Sequence, residues 1–327
     1  MGRKARGENM IDIVVTYLNE RDEKWQKDFK YWKEREIKEG RAKESNRQAF
    51  GEERTREWDC FKYWFRGVEK NCPWVNKVFV IVQNENHVPK WLDLNNPKLR
   101  IVYHEDYIPK ELLPTFNAMT IAMYVSNIPD LSENYIMCDD DYYFLNPIQK
   151  DRFFIENKPV HEDNRVGYTF YKGSYLEGSD NVFYAILNND LAFEKKYMKN
   201  EKVKYGIYHL PEARKKSFEQ KILKENEEEI YYANAWSKFR NDKNLCAYMF
   251  NDLLKICGEA VIGTPYDNCS YCTLKSTVDF DAYKNKDIVC FNDTEQLDNY
   301  GVTRANLIYF LDKKFPNKSS FEKGEPL

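Results

Sequence analysis

The first strand signal runs from Ile11 to Leu18, a β-rich stretch that suits a buried strand despite Asp12. Trp25, Phe29 and Trp32 then recur at helical spacing and predict one amphipathic helix. Between Ile37 and Val68 the chain holds no Leu, Ile or Val, so residues 38–55 read as a polar, mobile loop. Order returns with Trp58, Phe61, Phe65 and Val68, a helical stripe that ends near Asn71, Cys72 and Pro73. Lys77–Gln83 and Leu99–His104 are the second and third strands, and a helix is expected over Phe116–Ser126. Tyr135–Cys138 is a short apolar strand that runs straight into Asp139, Asp140 and Asp141.

Strand, helix, strand, strand, helix, strand is the order of an open α/β sheet of Rossmann-like character. The glycine-rich dinucleotide fingerprint is absent, which excludes an ordinary NAD-binding domain. Past residue 150 the pattern turns more helical. Residues 211–230 read as one charged helix with Phe218, Ile222 and Leu223 on its apolar face. Leu245, Met249, Leu253 and Ile256 mark another helix, and Leu307, Ile308, Leu311 and Phe315 a third. The expectation is a single domain over 1–327, with a sheet half at 10–155 and a more helical half at 156–327 that packs over the sheet edge.

Composition narrows the class. Hydrophobic residues make up 42% and the net charge is −3, so no basic excess points to nucleic acid. Aromatics reach 16%, which fits both sugar-stacking surfaces and a tyrosine-rich core. The start of the chain is charged, and no stretch approaches the roughly 18 apolar residues of a membrane span, so a cytoplasmic location is expected. Eight cysteines there read as free thiols. Cys269 and Cys272, with Cys257 and Cys290, match no standard zinc spacing.

Three consecutive carboxylates at a strand end repel one another, and a divalent cation would relieve that cost. A solvated acidic turn would carry the same triplet. The carboxyl end of a strand in an open α/β sheet is also where ligands bind. His209 is a candidate proton carrier, Arg240 a candidate phosphate clamp, and Asn19 and Asp22 follow the first strand within reach of a nucleotide.

Taken together, four ordered blocks resemble the Stealth family of sugar-phosphate transferases. The first is Asp12–Asp22, similar to the family's "DIVYTWVDGSD". The second runs from Arg56–Arg66 through Pro73-Trp74, Pro89–Leu92, Asn96-Pro97 and Leu113–Asn117 to Leu131–Phe144, similar at its end to "LSEHFLYFNDDMF". The third is His209–Pro211 with Phe239-Arg240, and the fourth Cys290–Asp293 with Phe315-Pro316 and Ser320–Glu322. The Asp-Gly of the family's first block is Asn19-Glu20 here.

The resemblance implies a nucleotide-sugar transferase fold of the GT-A kind. It also implies transfer of a sugar-1-phosphate from a donor such as UDP-N-acetylhexosamine or UDP-hexose to a glycan hydroxyl, giving a phosphodiester in a capsular or cell-surface polysaccharide. Carried over, the family's aspartates fall on Asp140 and Asp141 as ligands of Mg²⁺ or Mn²⁺, and Asp141, His209 and Arg240 are the expected catalytic residues. Asn19, Asp22, Arg66, Asn117 and Asp139 are expected to bind substrate, with Arg66 clamping phosphate. A lipid-linked acceptor and peripheral association with the inner face of the plasma membrane are both open. The alternative reaction is glycosyl transfer by attack at the anomeric carbon.

Overall fold

The structure is a computed structural model that describes residues 10–163, 165–167, 182–198, 203–205 and 208–324; the charged start of the chain lies outside this range. Four apolar runs become strands β1 (Ile11–Thr16), β2 (Val78–Val82), β3 (Leu99–Tyr103) and β4 (Asn134–Cys138). They are mutually parallel in the order β3-β2-β1-β4. Tyr142–Phe144 (β5) joins a second sheet, Phe154–Ile155 (β6) and Lys158–His161 (β7) a third, and Arg165–Gly167 (β8) pairs with Val203–Tyr205 (β9). Glu212–Lys215 (β10) then closes the main sheet, antiparallel to β4. Val261–Ile262 (β11) pairs with β7, and Ser270–Thr273 (β12) and Ile288–Asn292 (β13) complete the order β12-β13-β5. The predicted α/β class is borne out.

The strands read as continuous apolar runs because both faces of the sheet are covered. Ile13, Val15, Val78, Val80 and Ile136 point into one core, where the helices Phe61–Asn71 and Tyr300–Lys314 supply Trp64, Phe65, Leu307 and Phe310. Val14, Phe79, Ile81, Tyr135 and Met137 point into the other, against Phe218 and Ile222 of the helix Lys216–Glu225 and Phe250 and Leu253 of the helix Met249–Ile256. Gly67 lets the first of these helices lie close to β5. A Cβ there would come 2.9 Å from the Phe144 carbonyl oxygen. Asp12, buried within β1, is satisfied by Asn76 Nδ2 at 2.7 Å, Ser132 N at 2.8 Å and Lys77 N at 3.1 Å.

Several expectations are corrected. The charged segment 211–230 is not one helix: residues 212–215 form β10, and helices follow at Lys216–Glu225 and Glu227–Ala235. The extended start arises because Arg214, fully buried beside Glu212 and Glu219, ties β10 to the sheet core. The helix expected over 116–126 shortens to Ala118–Met123, followed by a 3-10 turn at Val125–Asn127. Trp58 precedes its helix rather than opening it, because its indole N–H is held by Asp293 at 3.2 Å. The segment 38–55 contains the short helix Arg47–Phe50 and a 3-10 turn at Glu52–Arg54. Phe50 packs edge-on against Phe29 and Phe239, which stands in for the missing aliphatic residues. All eight cysteines are free. No helix among the described residues is long and apolar enough to cross a membrane.

Candidate active site

The sheet order changes direction between β1 and β4, and the carboxyl ends of two such strands open a crevice where ligands bind. β4 delivers Asp139, Asp140 and Asp141 to that edge. From the β1 side comes Tyr17, its ring stacked on Phe61 at 4.6 Å and its hydroxyl donated to Glu57 Oε2 at 2.8 Å. Burial pushes the Asp140 carboxyl up to about 8, and the Glu57 and Asp139 carboxylates add to the rise. Asp141 is likewise raised, by burial first and then by Asp139 and Asp140. Its Oδ1 is buried without a hydrogen-bond partner, while its Oδ2 accepts the Cys290 thiol at 3.4 Å. Burial raises that thiol too, so it stays protonated.

His209 arrives through β10. Glu212 pairs with Met137, and continuing that antiparallel register backwards carries residue 209 to the level of Asp140. Its Nδ1 lies 3.1 Å from the Tyr142 hydroxyl and 3.0 Å from the Tyr248 hydroxyl. Its Nε2 lies 3.9 Å from Asp139 Oδ2 and 4.0 Å from Asp141 Oδ2. Burial lowers the imidazole pKa and outweighs the opposing pull of Asp139, which favours the neutral ring.

Arg240 is placed by its neighbour Phe239, which stacks on Phe116 at 5.1 Å and meets Phe29 edge-on at 5.1 Å. The guanidinium is buried, donates from Nη1 to Gln48 Oε1 at 2.9 Å, and has no partner at Nε. Asn46 Nδ2 holds the Arg240 carbonyl oxygen at 2.9 Å. Burial lowers Arg240 to about 9, and repulsion from Arg54 contributes. Arg54 also acts on His209 and Asp141, and Asp139 acts on both His209 and Arg240, so these charges influence one another around His209.

Other expected site residues are committed elsewhere. Arg66 is not offered to a phosphate: Nε and Nη2 bind Glu322 at 2.7 and 2.8 Å, and Nη1 binds the Phe315 carbonyl at 2.9 Å. Asn117 is fully buried, caps the helix Ala118–Met123 through Met119 N at 3.1 Å and donates to Asn244 at 2.9 Å, so it is framework. Asp22 caps the helix Glu23–Lys38 through Lys24 N at 3.1 Å, with its other oxygen 3.3 Å from His87 Nε2. The Asn19 amide is held by the Asn86 carbonyl at 3.1 Å and by Arg21 N at 3.2 Å. The metal expectation also shifts. Donor atoms of Asp141, His209 and Cys290 lie within 4.8 Å of one another, whereas Asp140 stands outside that group with Glu57 as its leading charged neighbour.

The reading of the sequence missed Gln48, Arg54, Glu57, Tyr142, Tyr248 and Cys290 as site residues. Glu57, Tyr142 and Cys290 stand inside the blocks that carried the resemblance; Gln48 and Arg54 lie in the segment read as loop, where nothing in the sequence marks them.

Known proteins complete the picture. Conserved region 2 of Stealth proteins matches residues 54–162, which hold Glu57 and the aspartates. Capsular polysaccharide phosphotransferase WcwK of Streptococcus pneumoniae is 32% identical, with 96% of this chain and 98% of that relative aligned. The chain belongs to the Stealth family. Receptor polysaccharide phosphotransferase WefC of Streptococcus oralis, 30% identical over 96% of this chain and 99% of its own length, is a second full-length relative. A crystal structure of a galactosyltransferase in complex with donor and acceptor sugar analogs overlaps 94% of the chain and 98% of its own at 9% identity and a TM-score of 0.37. The fold assignment rests on the strand order rather than on that overlap. As a member of this family of phosphotransferases, the chain is an enzyme that transfers a phosphorus-containing group.

Proposed function

We propose that this chain transfers a sugar-1-phosphate from a nucleotide-sugar, of the UDP-N-acetylhexosamine or UDP-hexose class, to a hydroxyl of a growing polysaccharide. The acceptor oxygen attacks the sugar-bearing phosphorus, the bond to the nucleoside monophosphate breaks, and the product is a phosphodiester. The observation that carries this reading is the buried Arg240, which has a neutral partner at Nη1 and none at Nε and lies within electrostatic reach of Asp139. A planar cation left in that state suits a phosphoryl group, whose charge is spread over several oxygens. Full-length similarity to two kinds of polysaccharide phosphotransferase supports the acceptor class.

His209 is suited to take the proton of the attacking hydroxyl. Its ring is oriented by two tyrosine hydroxyls at Nδ1, and its lowered pKa keeps Nε2 available. Asp139 is the nearest carboxylate to Nε2 and would stabilise the imidazolium that forms. The residues present fit a divalent cation: Asp141 Oδ1 is a buried oxygen with no donor, and Asp139 and Asp140 raise the cost of ionising Asp141. Asp141 would lead the ligands of Mg²⁺ or Mn²⁺, joined by Asp140 if its carboxylate turns from the Glu57 side, since carboxylate oxygens suit hard cations and the Cys290 thiol is protonated. Such an ion neutralises charge on the donor diphosphate.

Incubation with a panel of nucleotide-sugars and a glycan acceptor tests the proposal by the nucleotide released. Nucleoside monophosphate, with one phosphorus per sugar in the product, is expected. Release of nucleoside diphosphate with a phosphorus-free product would overturn it in favour of glycosyl transfer.

A further inference from the structure

The three aspartates look in two directions. Asp140 interacts with Glu57 and Tyr17, on the β1 side where the sheet order reverses. Asp141 instead meets the second sheet: its carbonyl accepts Phe291 N at 3.0 Å and its carboxylate the Cys290 thiol. On that second side stands Tyr271 of β12, opposite Cys290 in register and half exposed at 50%. Its ring meets the His209 ring at 6.1 Å and 65°. Its hydroxyl accepts Asn292 Nδ2 at 2.6 Å, which holds the side chain in place. Beside His209 in the chain, Tyr208 is 41% exposed, tilts over Tyr266 at 4.9 Å, and has its hydroxyl engaged by Glu162.

Two exposed rings with occupied hydroxyls offer carbon surface to a ligand, and no reorganisation is needed to present it. The Tyr271 ring sits next to groups that need polar partners: the His209 Nε2 and, beside it, the Asp139 side chain, 41% exposed. A wholly apolar partner would desolvate these groups without compensation. A pyranose ring satisfies both halves, since it has a C–H face and a rim of hydroxyls.

We propose that Tyr271 forms the platform on which a pyranose ring of the glycan acceptor lies, with a hydroxyl directed at His209. The inference rests on the phosphotransfer reading for the identity of the acceptor, and it assigns the donor to the β1 side of the triplet.

Saturation-transfer NMR on the full chain tests it, with methyl β-galactopyranoside and methyl N-acetyl-β-glucosaminide as probes and no donor present. Saturation should reach the ring C–H protons of at least one probe. Tyr271→Ala should weaken that probe about tenfold, the loss of one aromatic contact, while Tyr271→Phe stays within about twofold. Tyr309→Ala, at a 67% exposed tyrosine on the helix Tyr300–Lys314, should bind as the parent does. If Tyr271→Ala fails to fold, Tyr271→Leu, which keeps bulk but removes the aromatic face, carries the test with the same expected loss. Binding of neither probe to the parent, or unaltered binding to the Tyr271 variant that removes the ring, overturns the platform. Released nucleotide is a separate readout: diphosphate release with tyrosine-dependent probe binding would sink the phosphotransfer reading alone.

Discussion

Where the helix Phe61–Asn71 meets the end of the chain, Arg66 is enclosed by partners that suit it. Glu322 takes two of its N–H groups, the Phe315 carbonyl a third, and the Tyr63 ring lies 5.1 Å away. Hydrogen bonding to Glu322 holds the guanidinium pKa up against burial. Arg240 is as deeply buried, yet it has a neutral glutamine at Nη1, nothing at Nε and another arginine acting on it, and its pKa falls to about 9. A buried cation with no carboxylate hydrogen-bonded to it is costly. The contrast separates an arginine bound by a carboxylate from the one proposed to meet an anion, and sequence motifs rank the two alike.

The largest effect should come from Arg240. Arg240→Ala is expected to lower kcat about 10²–10³-fold, and more than it raises KM, as for an interaction made mainly in the transition state. Arg240→Lys should recover little, because an ammonium cannot reproduce the fork. Near-parental kcat in either variant would break the comparison. Asp141→Asn should cost at least about a hundredfold in turnover with the melting temperature retained, for the loss of a preorganised charge. Unchanged turnover, or unchanged turnover in excess chelator, would remove the cation from the site.

Arg66→Ala is the opposite case. It should destabilise the chain by about 3 kcal/mol in denaturant unfolding, because Glu322 is left buried and unpaired, while turnover per folded molecule stays near the parent's. A variant that melts normally and has lost turnover would return Arg66 to the phosphate.

A pH test follows from Asp140. In chelator its carboxyl holds a proton up to about pH 8 in the folded chain, whereas an unfolded carboxyl has lost it above about pH 4. The unfolded state therefore binds fewer protons across that window, and stability should fall as pH rises through it. Asp140→Asn should flatten the slope, measured as melting temperature against pH. An identical slope in the variant would assign it to other groups.

The smallest effect, and the one that bears most directly on the comparison, concerns Gln48. Gln48→Ala removes one hydrogen bond from Arg240 and should lower kcat about fivefold, the equivalent of about 1 kcal/mol. Gln48→Glu gives Arg240 the kind of partner that Arg66 has, and should lower kcat further while raising the melting temperature. A glutamate variant as active as the parent would show that Arg240 does not need to be free.

What the sequence determined by itself was local. The apolar runs at Ile11–Thr16, Val78–Val82 and Asn134–Cys138 specify strands because both sheet faces are covered, and the triplet at the end of β4 is legible because the cost of adjacent carboxylates needs no tertiary knowledge. The four blocks gave the family, and with it His209 and Arg240 as candidates. Tertiary structure decided the partners. Gln48 reaches Arg240 across 192 residues, Cys290 reaches Asp141 across 149, and Glu322 reaches Arg66 across 256. The same long-range folding turned Glu212–Lys215 from helix into strand, because a buried Arg214 needs its two glutamates and the register with β4 more than those residues need a helical turn. An arginine's role depends on whether a carboxylate stands beside it, and that carboxylate lies too far along the chain for any local pattern to record it.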